Sequence, residues 1–104
     1  MIRDISDMAF FQLIERQGII TLIDFTAEWC PHCVVLKPLL EEIAGDYSDR
    51  IEVYYLDTDL YPDLADSYDI MTIPALYAFC NGECLGYAIN PQSKEEIVDL
   101  FHLP

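Results

Sequence analysis

Residues 19–33 read IITLIDFTAEWCPHC, and this stretch decides the fold because it joins a buried strand to the start of a helix. Its first part, residues 19–25, is an almost continuous apolar run rich in β-branched side chains. Such a run is typical of a strand buried on both faces, as in the centre of a parallel sheet covered by helices. Pro31 fits the first turn of the following helix, since its missing N–H would have no partner there. The stretch predicts an α/β fold with Cys30 and Cys33 where strand meets helix.

The rest of the 104-residue chain supplies the other elements of one domain, which we expect to span residues 1–104. Helices are predicted from a cap at Ser6 to about Arg16, from about Pro31 to Asp46, from Pro62 onward and after the capping box at Ser93. Strands are predicted over residues 51–57 and 75–79, and the Asn81-Gly82 turn returns the chain as an antiparallel strand to about Ile89. The order β-α-β-α-β-α-β-β-α gives a central mixed sheet flanked by helices on both faces.

The charge balance is strongly acidic, with nineteen Asp and Glu residues against five Lys and Arg residues. Nucleic acids and anionic membrane surfaces are not expected as partners, because phosphate binding needs clustered Lys and Arg. The apolar stretch over residues 19–23 is too short to cross a bilayer, and the N-terminus carries acids where a secretory signal would be basic. These features predict a cytoplasmic protein. The net charge either serves solubility or steers the chain toward a basic partner such as a reductase, and both interpretations stay open.

Cys30 and Cys33 have the spacing that thiol–disulfide exchange requires. Two thiols one helical turn apart can reach each other, and the helix start stabilises an anion at Cys30 through its free N–H groups and its dipole. The thiolate is the nucleophile, so we expect Cys30 to attack a disulfide. Cys33, more buried and with the higher pKa, then resolves the mixed disulfide. The pair predicts a thiol–disulfide oxidoreductase that needs neither cofactor nor metal.

His32 is expected to adjust the redox poise of this pair. A cationic or donor imidazole beside Cys30 favours the thiolate, which stabilises the dithiol and makes the disulfide a better oxidant. Potentials of such motifs range from about −270 to about −120 mV. We therefore predict a protein on the oxidising side of an ordinary disulfide reductase.

Two residues outside the motif complete the candidate site. Asp24 is a carboxylate within a buried strand, so its pKa should be raised, and we assign it as the acceptor of the Cys33 proton, through water or directly. The alternative is a carboxylate that caps the following helix. Ile73-Pro74 enters a strand and is compatible with a cis bond. It would present the backbone of Ile73 beside the cysteines, where an extended substrate could pair with it.

The sequence resembles the thioredoxin family in the run from Asp24 to Cys33, Pro38, Ile73-Pro74-Ala75-Leu76 and Asn81-Gly82-Glu83, over essentially the whole chain. The resemblance implies the thioredoxin fold, a cis Pro74, Cys30 as nucleophile, Cys33 as resolving thiol, Asp24 as buried acid and Trp29 as a shield over the site. It also implies a substrate-binding surface of Trp29, Pro31, Ile73 and Pro74. Protein disulfides would be the substrates, a thioredoxin reductase the electron donor, and the working form a monomer.

The sequence departs from that family at several positions. Pro31-His32 replaces the usual Gly-Pro and matches the pair of a periplasmic disulfide oxidase. Tyr55 stands where a lysine usually lies near the buried acid, so we expect Asp24 to lack a neighbouring cation. Val34 replaces a usual lysine and Asn90 a usual glycine, which alters the docking surface and leaves partner identity open.

A second pair, Cys80 and Cys84, flanks the hairpin turn. The turn places Cys80 opposite Glu83 and Cys84 opposite Phe79, so the two thiols should point to opposite faces and form no disulfide. We expect Cys84 to be a small core residue and Cys80 to be partly exposed.

Two rival classes of function remain: a structural zinc module using all four cysteines, and a binding subunit or chaperone with little redox chemistry. The forty-six residues between the two pairs argue against the first. The intact Cys30–Cys33 motif argues against the second. His102 is expected to interact with the dipole of the last helix.

Overall fold

The computed structural model describes residues 2–101, so His102 lies outside the described part. Five strands are present: β1 (Arg3–Asp4), β2 (Ile20–Thr26), β3 (Ile51–Asp57), β4 (Ala75–Cys80) and β5 (Glu83–Ile89). Four helices accompany them: α1 (Asp7–Ile14), α2 (Pro31–Asp46), α3 (Pro62–Ser67) and α4 (Lys94–Val98). The bounds lie close to the predicted ones, with α1 ending two residues before Arg16. The first strand of the predicted order, for which the sequence pattern defined no range, is β1.

The five strands form one mixed sheet in the order β1-β3-β2-β4-β5. β1, β3 and β2 are parallel, whereas β4 and β5 run antiparallel to their neighbours. All seven residues of β2 are buried, as its apolar run predicted. The predicted mixed α/β sheet is confirmed, and β2 at its centre carries Asp24 and leads directly into the cysteine motif.

Two apolar cores lie on opposite faces of this sheet, because side chains alternate along each strand. Leu22 points into one core, which Leu36, Leu40 and Ile43 of α2 and Ile97 of α4 complete. Ile23 and Phe25 point into the other, which is filled by Phe10 and Ile14 of α1 and Leu64 of α3. Burying one such side chain contributes about 1.5–3 kcal/mol. The helices therefore cover both faces, as predicted.

Local caps fix where the helices begin. The Ser6 hydroxyl accepts the N–H of Ala9 at the start of α1, and the Ser93 hydroxyl accepts that of Glu96 at the start of α4, both at 3.2 Å. Cys30 holds the same N-cap position for α2. Because a cap satisfies one of the free N–H groups of the first turn, the cysteine predicted to be the nucleophile also fixes the start of its helix.

The hairpin between β4 and β5 corrects one prediction about the second cysteine pair. Cys80 lies opposite Glu83 and Cys84 opposite Phe79, as expected. Cys84 is nevertheless exposed, whereas Cys80 is half-buried against the α2–α4 core. The assignment of Cys84 to the core was wrong because β5 is an edge strand that is exposed along most of its length. Both thiols are free.

Within residues 2–101, no helix is long and apolar enough to cross a membrane.

Candidate active site

The two cysteines of the motif share a small buried cluster at the start of α2. Cys30 is 3% exposed and Cys33 is fully buried, with Ala27 and Ile73 packed against them. The Sγ of Cys30 accepts the backbone N–H of Cys33 at 3.3 Å. An N–H donor favours the thiolate over the thiol, because only the anion is a strong acceptor. The helix start thus brings the two thiols together and provides a donor for one of them.

Cys33 is held in its protonated form. Burial chiefly, together with a hydrogen bond with Cys30, raises the pKa of Cys33 to about 11. A hydrogen bond with the side chain of Thr26 and one with the backbone of Ala27 act in the opposite direction. At neutral pH this thiol cannot attack until a base takes its proton. Sequence reasoning did not select Thr26, although a polar residue ending a buried strand just before the motif was a signal.

The segment before β4 lies against the cysteines. The carbonyl oxygen of Ile73 is 3.9 Å from the Sγ of Cys30, and the Ile73–Pro74 peptide bond is cis. The N–H of Asn90 donates to the carbonyl of Pro74 at 2.7 Å. Asn90 has a φ of 47°, a left-handed conformation that asparagine tolerates better than most residues. The replacement of the usual glycine by Asn90 therefore keeps a backbone that glycine would also adopt.

Asp24 lies in the middle of β2, where its side chain is buried. It faces Tyr55 on β3 and Leu76 on β4 in the strand register. The carboxylate is fully buried, and within the described residues neither of its oxygens has a hydrogen-bond partner. Burial raises the pKa of Asp24 to about 7 from an ordinary 3.8, consistent with the expected direction. The alternative of a helix-capping carboxylate was wrong, since these oxygens accept no N–H group of α2.

A cation does lie near Asp24, contrary to the expectation from Tyr55. The ammonium of Lys37, on α2, lowers the pKa of Asp24 against the larger effect of burial. The Nζ of Lys37 sits 5.2 Å from the ring centroid of Tyr55. The prediction failed because Lys37 reaches this place from the helix covering the sheet, which the position of Tyr55 in the strand does not reveal.

The remaining predicted residues lie at the rim of the site. Trp29 is 67% exposed, and its Nε1–H donates to Oδ2 of Asp59 at 2.7 Å. Pro31 and His32 are exposed in the first turn of α2. Asp59 is a residue that sequence reasoning missed, because thirty positions separate it from Trp29. The bond fixes an aromatic surface beside the two thiols.

Among residues 2–101, no group of three or more His, Cys, Asp or Glu side chains is placed to hold a metal ion. The two cysteine pairs lie at opposite ends of β4. Ile73, just before this strand, contacts Cys30, whereas Cys80 ends the strand, five residues after Ala75 or roughly 17 Å along an extended chain. The structure therefore lends no support to the zinc module.

The comparisons with known proteins agree with this geometry. The family model "Thioredoxin" matches residues 1–102. The thioredoxin of Staphylococcus epidermidis is 36% identical over 96 residues, covering 92% of this chain and 90% of that protein. The thioredoxin of Buchnera aphidicola is 37% identical over 100 residues, covering 96% and 92%.

Among solved structures, a mutant thioredoxin from Halobacterium salinarum superimposes with a TM-score of 0.82 at 25% identity, covering 95% of this chain and 85% of that chain. The sheet order, the cysteine pair at the helix start and relatives above one-third identity lead to one conclusion. The chain belongs to the thioredoxin family, whose Cys-x-x-Cys site is that of a thiol–disulfide oxidoreductase.

Proposed function

We propose that the protein reduces disulfide bonds in other proteins, with Cys30 as the attacking thiolate and Cys33 as the resolving thiol. The observation that carries this proposal is the asymmetry of the pair. Cys30, at the N-cap, accepts an N–H at 3.3 Å, whereas burial raises the pKa of Cys33 to about 11. One sulfur is prepared to attack, and the other is kept as a thiol until the second step.

In the first step the thiolate of Cys30 attacks one sulfur of the client disulfide. A bond forms between Cys30 Sγ and that sulfur, the client S–S bond breaks, and the other client sulfur leaves as a thiolate. The N–H of Cys33, which donates to the sulfur of Cys30, orients that sulfur at the helix start. The protein and its client are then joined by a mixed disulfide.

In the second step Cys33 loses its proton and attacks Cys30. The Cys30–Cys33 disulfide forms, and the second client sulfur leaves, so two electrons pass from the protein to the client. Asp24 receives the proton, since a pKa of about 7 lets it act as a base at neutral pH. Its oxygens accept no hydrogen bond from residues 2–101, so the transfer runs through a water molecule.

The client binds beside the two sulfurs as an extended segment. Its main chain pairs with the backbone of Ile73, whose carbonyl lies 3.9 Å from Cys30 Sγ. The exposed faces of Trp29 and Pro31 and the segment at Pro74 form the surrounding surface. Met71 is 92% exposed just before this segment and extends the same surface.

A thioredoxin reductase returns two electrons to the oxidised protein, which acts as a monomer in the cytoplasm. The net charge of −14 favours encounter with a basic surface on that reductase. The exposed imidazole of His32 makes the disulfide more oxidising than that of an ordinary thioredoxin.

Equilibration with a glutathione redox buffer tests the poise. We expect a potential above about −270 mV, the value typical of an ordinary reductase. His32→Ala should shift it toward more reducing values, whereas Val34→Ala, at an exposed neighbouring position, should not. A potential at or below the ordinary value would refute the oxidising poise.

Turnover separates reduction from a second candidate, oxidation or isomerisation of client disulfides, which the Pro31-His32 pair favours. The protein is supplied with a thioredoxin reductase and its electron source, and the reduction of insulin disulfides is followed. Sustained reduction supports the proposed function. No turnover by the reductase, together with a potential near the glutathione pool, would favour the second candidate.

A further inference from the structure

The helix that carries the cysteines also carries a lysine on the same face. Lys37 follows Cys33 by four residues, and residues so spaced lie one above the other on a helix. Long helical side chains lean toward the N-terminus of their helix, which here is the end that holds the motif. The ammonium of Lys37 lies 5.2 Å from the ring centroid of Tyr55. The side chain of Lys37, although exposed, therefore leans back toward the site.

Tyr55 is also the strand neighbour of Asp24. The two residues are paired in the parallel register of β2 and β3. Their side chains lie on the sheet face that α2 covers, because Leu22 and Val53, two residues earlier on each strand, belong to the α2 core. The ring of Tyr55 thus has the ammonium on one side and the carboxylate beside it.

The charged side chains around this point are otherwise acidic. A cleft of about 400 Å³ opens here, and its lining includes Thr26, Tyr55 and Lys37. Among its lining residues the other charged ones are Asp4, Glu28 and Asp57, all carboxylates. Lys37 is the one cation among these lining residues. Thr26, which hydrogen-bonds with Cys33, connects the same cleft to the resolving thiol.

We propose that Lys37 is a positioning residue for disulfide exchange: across the ring of Tyr55, its ammonium keeps the buried carboxylate of Asp24 available to receive the proton of Cys33. This inference rests on the proposed function, in which Cys33 supplies the proton that Asp24 receives. Lys37 touches neither sulfur and acts only through Asp24. The electrostatic relation between Lys37 and Asp24, in contrast, exists whether or not the protein reduces clients.

The groups that face Asp24 make its titration easy to isolate. Tyr55 faces it from β3 and the apolar Leu76 from β4, and the charge of Lys37 acts on it from α2. The pKa of Tyr55 is raised to about 12 and that of Cys33 to about 11, both chiefly by burial. Neither titrates between pH 5 and 9. A carboxyl signal that changes in this range and is missing in Asp24→Asn belongs to Asp24.

The test follows the carboxyl carbon of Asp24 by NMR as a function of pH, in wild type, Lys37→Met and Lys37→Arg. Lys37→Met should raise the pKa of Asp24 by about 0.5 unit, a value reduced by solvent because Lys37 is exposed. Lys37→Arg keeps the charge and should restore the wild-type value. Lys94→Met removes a lysine that pairs with Glu42 and Asp46 and should leave the pKa of Asp24 unchanged.

Salt gives a second readout on the same samples. Raising ionic strength screens an exposed cation, so 1 M salt should move wild type toward Lys37→Met and leave the variant almost unchanged. Superimposable titrations of wild type and Lys37→Met at low salt would overturn the proposal. If the NMR shift appears but the pH profile of client reduction does not move with it, the coupling holds and the role assigned to Asp24 in the proposed function fails.

Discussion

The chain contains two cysteine pairs of nearly equal spacing, and only one is built for chemistry. Cys30 and Cys33 are separated by two residues, and Cys80 and Cys84 by three. The first pair lies at a helix start, where a backbone N–H contacts one sulfur and burial protects the other. The second flanks a hairpin turn, with its members on opposite faces of the sheet. Spacing alone therefore does not determine whether two cysteines form a redox site. The secondary-structure element that carries them, here a helix start rather than a hairpin turn, makes the difference.

The surroundings of the two pairs differ in the same way. β2, the strand that leads into the first pair, carries Asp24, a buried carboxylate without a hydrogen-bond partner among the described residues. An unpaired polar group of this kind costs stability, so a fold keeps it where function requires it. Cys84, on the edge strand β5, is instead open to solvent. The start of α2 buries both thiols of the first pair, whereas the hairpin leaves Cys84 exposed and Cys80 half-buried.

The largest expected effect is the loss of disulfide reduction when the Cys30–Cys33 pair is changed, compared with a change in the Cys80–Cys84 pair. Cys30→Ser removes the nucleophile and should reduce the rate of insulin-disulfide reduction by about three orders of magnitude or more. Cys84→Ser is the matched control and should retain wild-type turnover. A loss of activity in Cys84→Ser as large as that in Cys30→Ser would contradict the assignment of the redox site to Cys30 and Cys33.

The next effect concerns the stability cost of Asp24. Its pKa is raised to about 7 in the fold from an ordinary 3.8, so the folded state binds a proton that the unfolded state has released. The stability that this proton binding contributes to the free energy of unfolding is fully present below pH 3.8 and is lost as the pH rises to about 7. Asp24→Asn carries no such titration, so its advantage in unfolding free energy over wild type should grow by up to about 4 kcal/mol across that window. Urea unfolding at pH 4, 5.5, 7 and 8.5 measures this growth.

The control for this measurement is Glu83→Gln, a carboxylate on the exposed strand β5. Its side chain stays in water in both states, so the difference from wild type should not change with pH in the same manner. If the difference in unfolding free energy between Asp24→Asn and wild type stayed constant over the whole pH range, the raised pKa of Asp24 in the folded state would be contradicted.

The smallest expected effect concerns the second pair itself. In the reduced, folded protein Cys84 should react with a thiol reagent about tenfold faster than the half-buried Cys80, because reagent access follows exposure. Mass mapping of partly alkylated protein gives the two rates. Faster modification of Cys80 would contradict the assignment of their exposures.

Much of the fold follows from local signals in the sequence. The apolar run over residues 19–25, the Asn81-Gly82 turn and the capping serines each determine structure within a few positions, so strands and helices lie where these signals predict. Cys84 shows the limit, because its burial depends on whether an element covers an edge strand. Such covering depends on packing between distant segments.

The candidate site likewise combines residues that the sequence predicts with contacts that it does not predict. The motif places Cys30 and Cys33 together by helical geometry alone, and Asp24 attracts notice because an acid interrupts an apolar strand. The contacts that tune the site join residues distant in the chain. Asp59 reaches Trp29 across thirty positions, and Lys37 affects Asp24 only after α2 packs on the sheet. These relations required the three-dimensional structure.

The most direct test traps the intermediate that the asymmetric pair implies. Cys33→Ser leaves Cys30 able to attack but removes the resolving thiol, so a disulfide-bonded protein substrate should remain covalently attached. Peptide mapping of that complex should locate the link at Cys30, and Cys30→Ser should give no complex. A Cys33→Ser complex linked through Cys80 or Cys84, no complex in Cys33→Ser, or a Cys30→Ser complex linked through Cys33 would contradict the assignment of Cys30 as nucleophile.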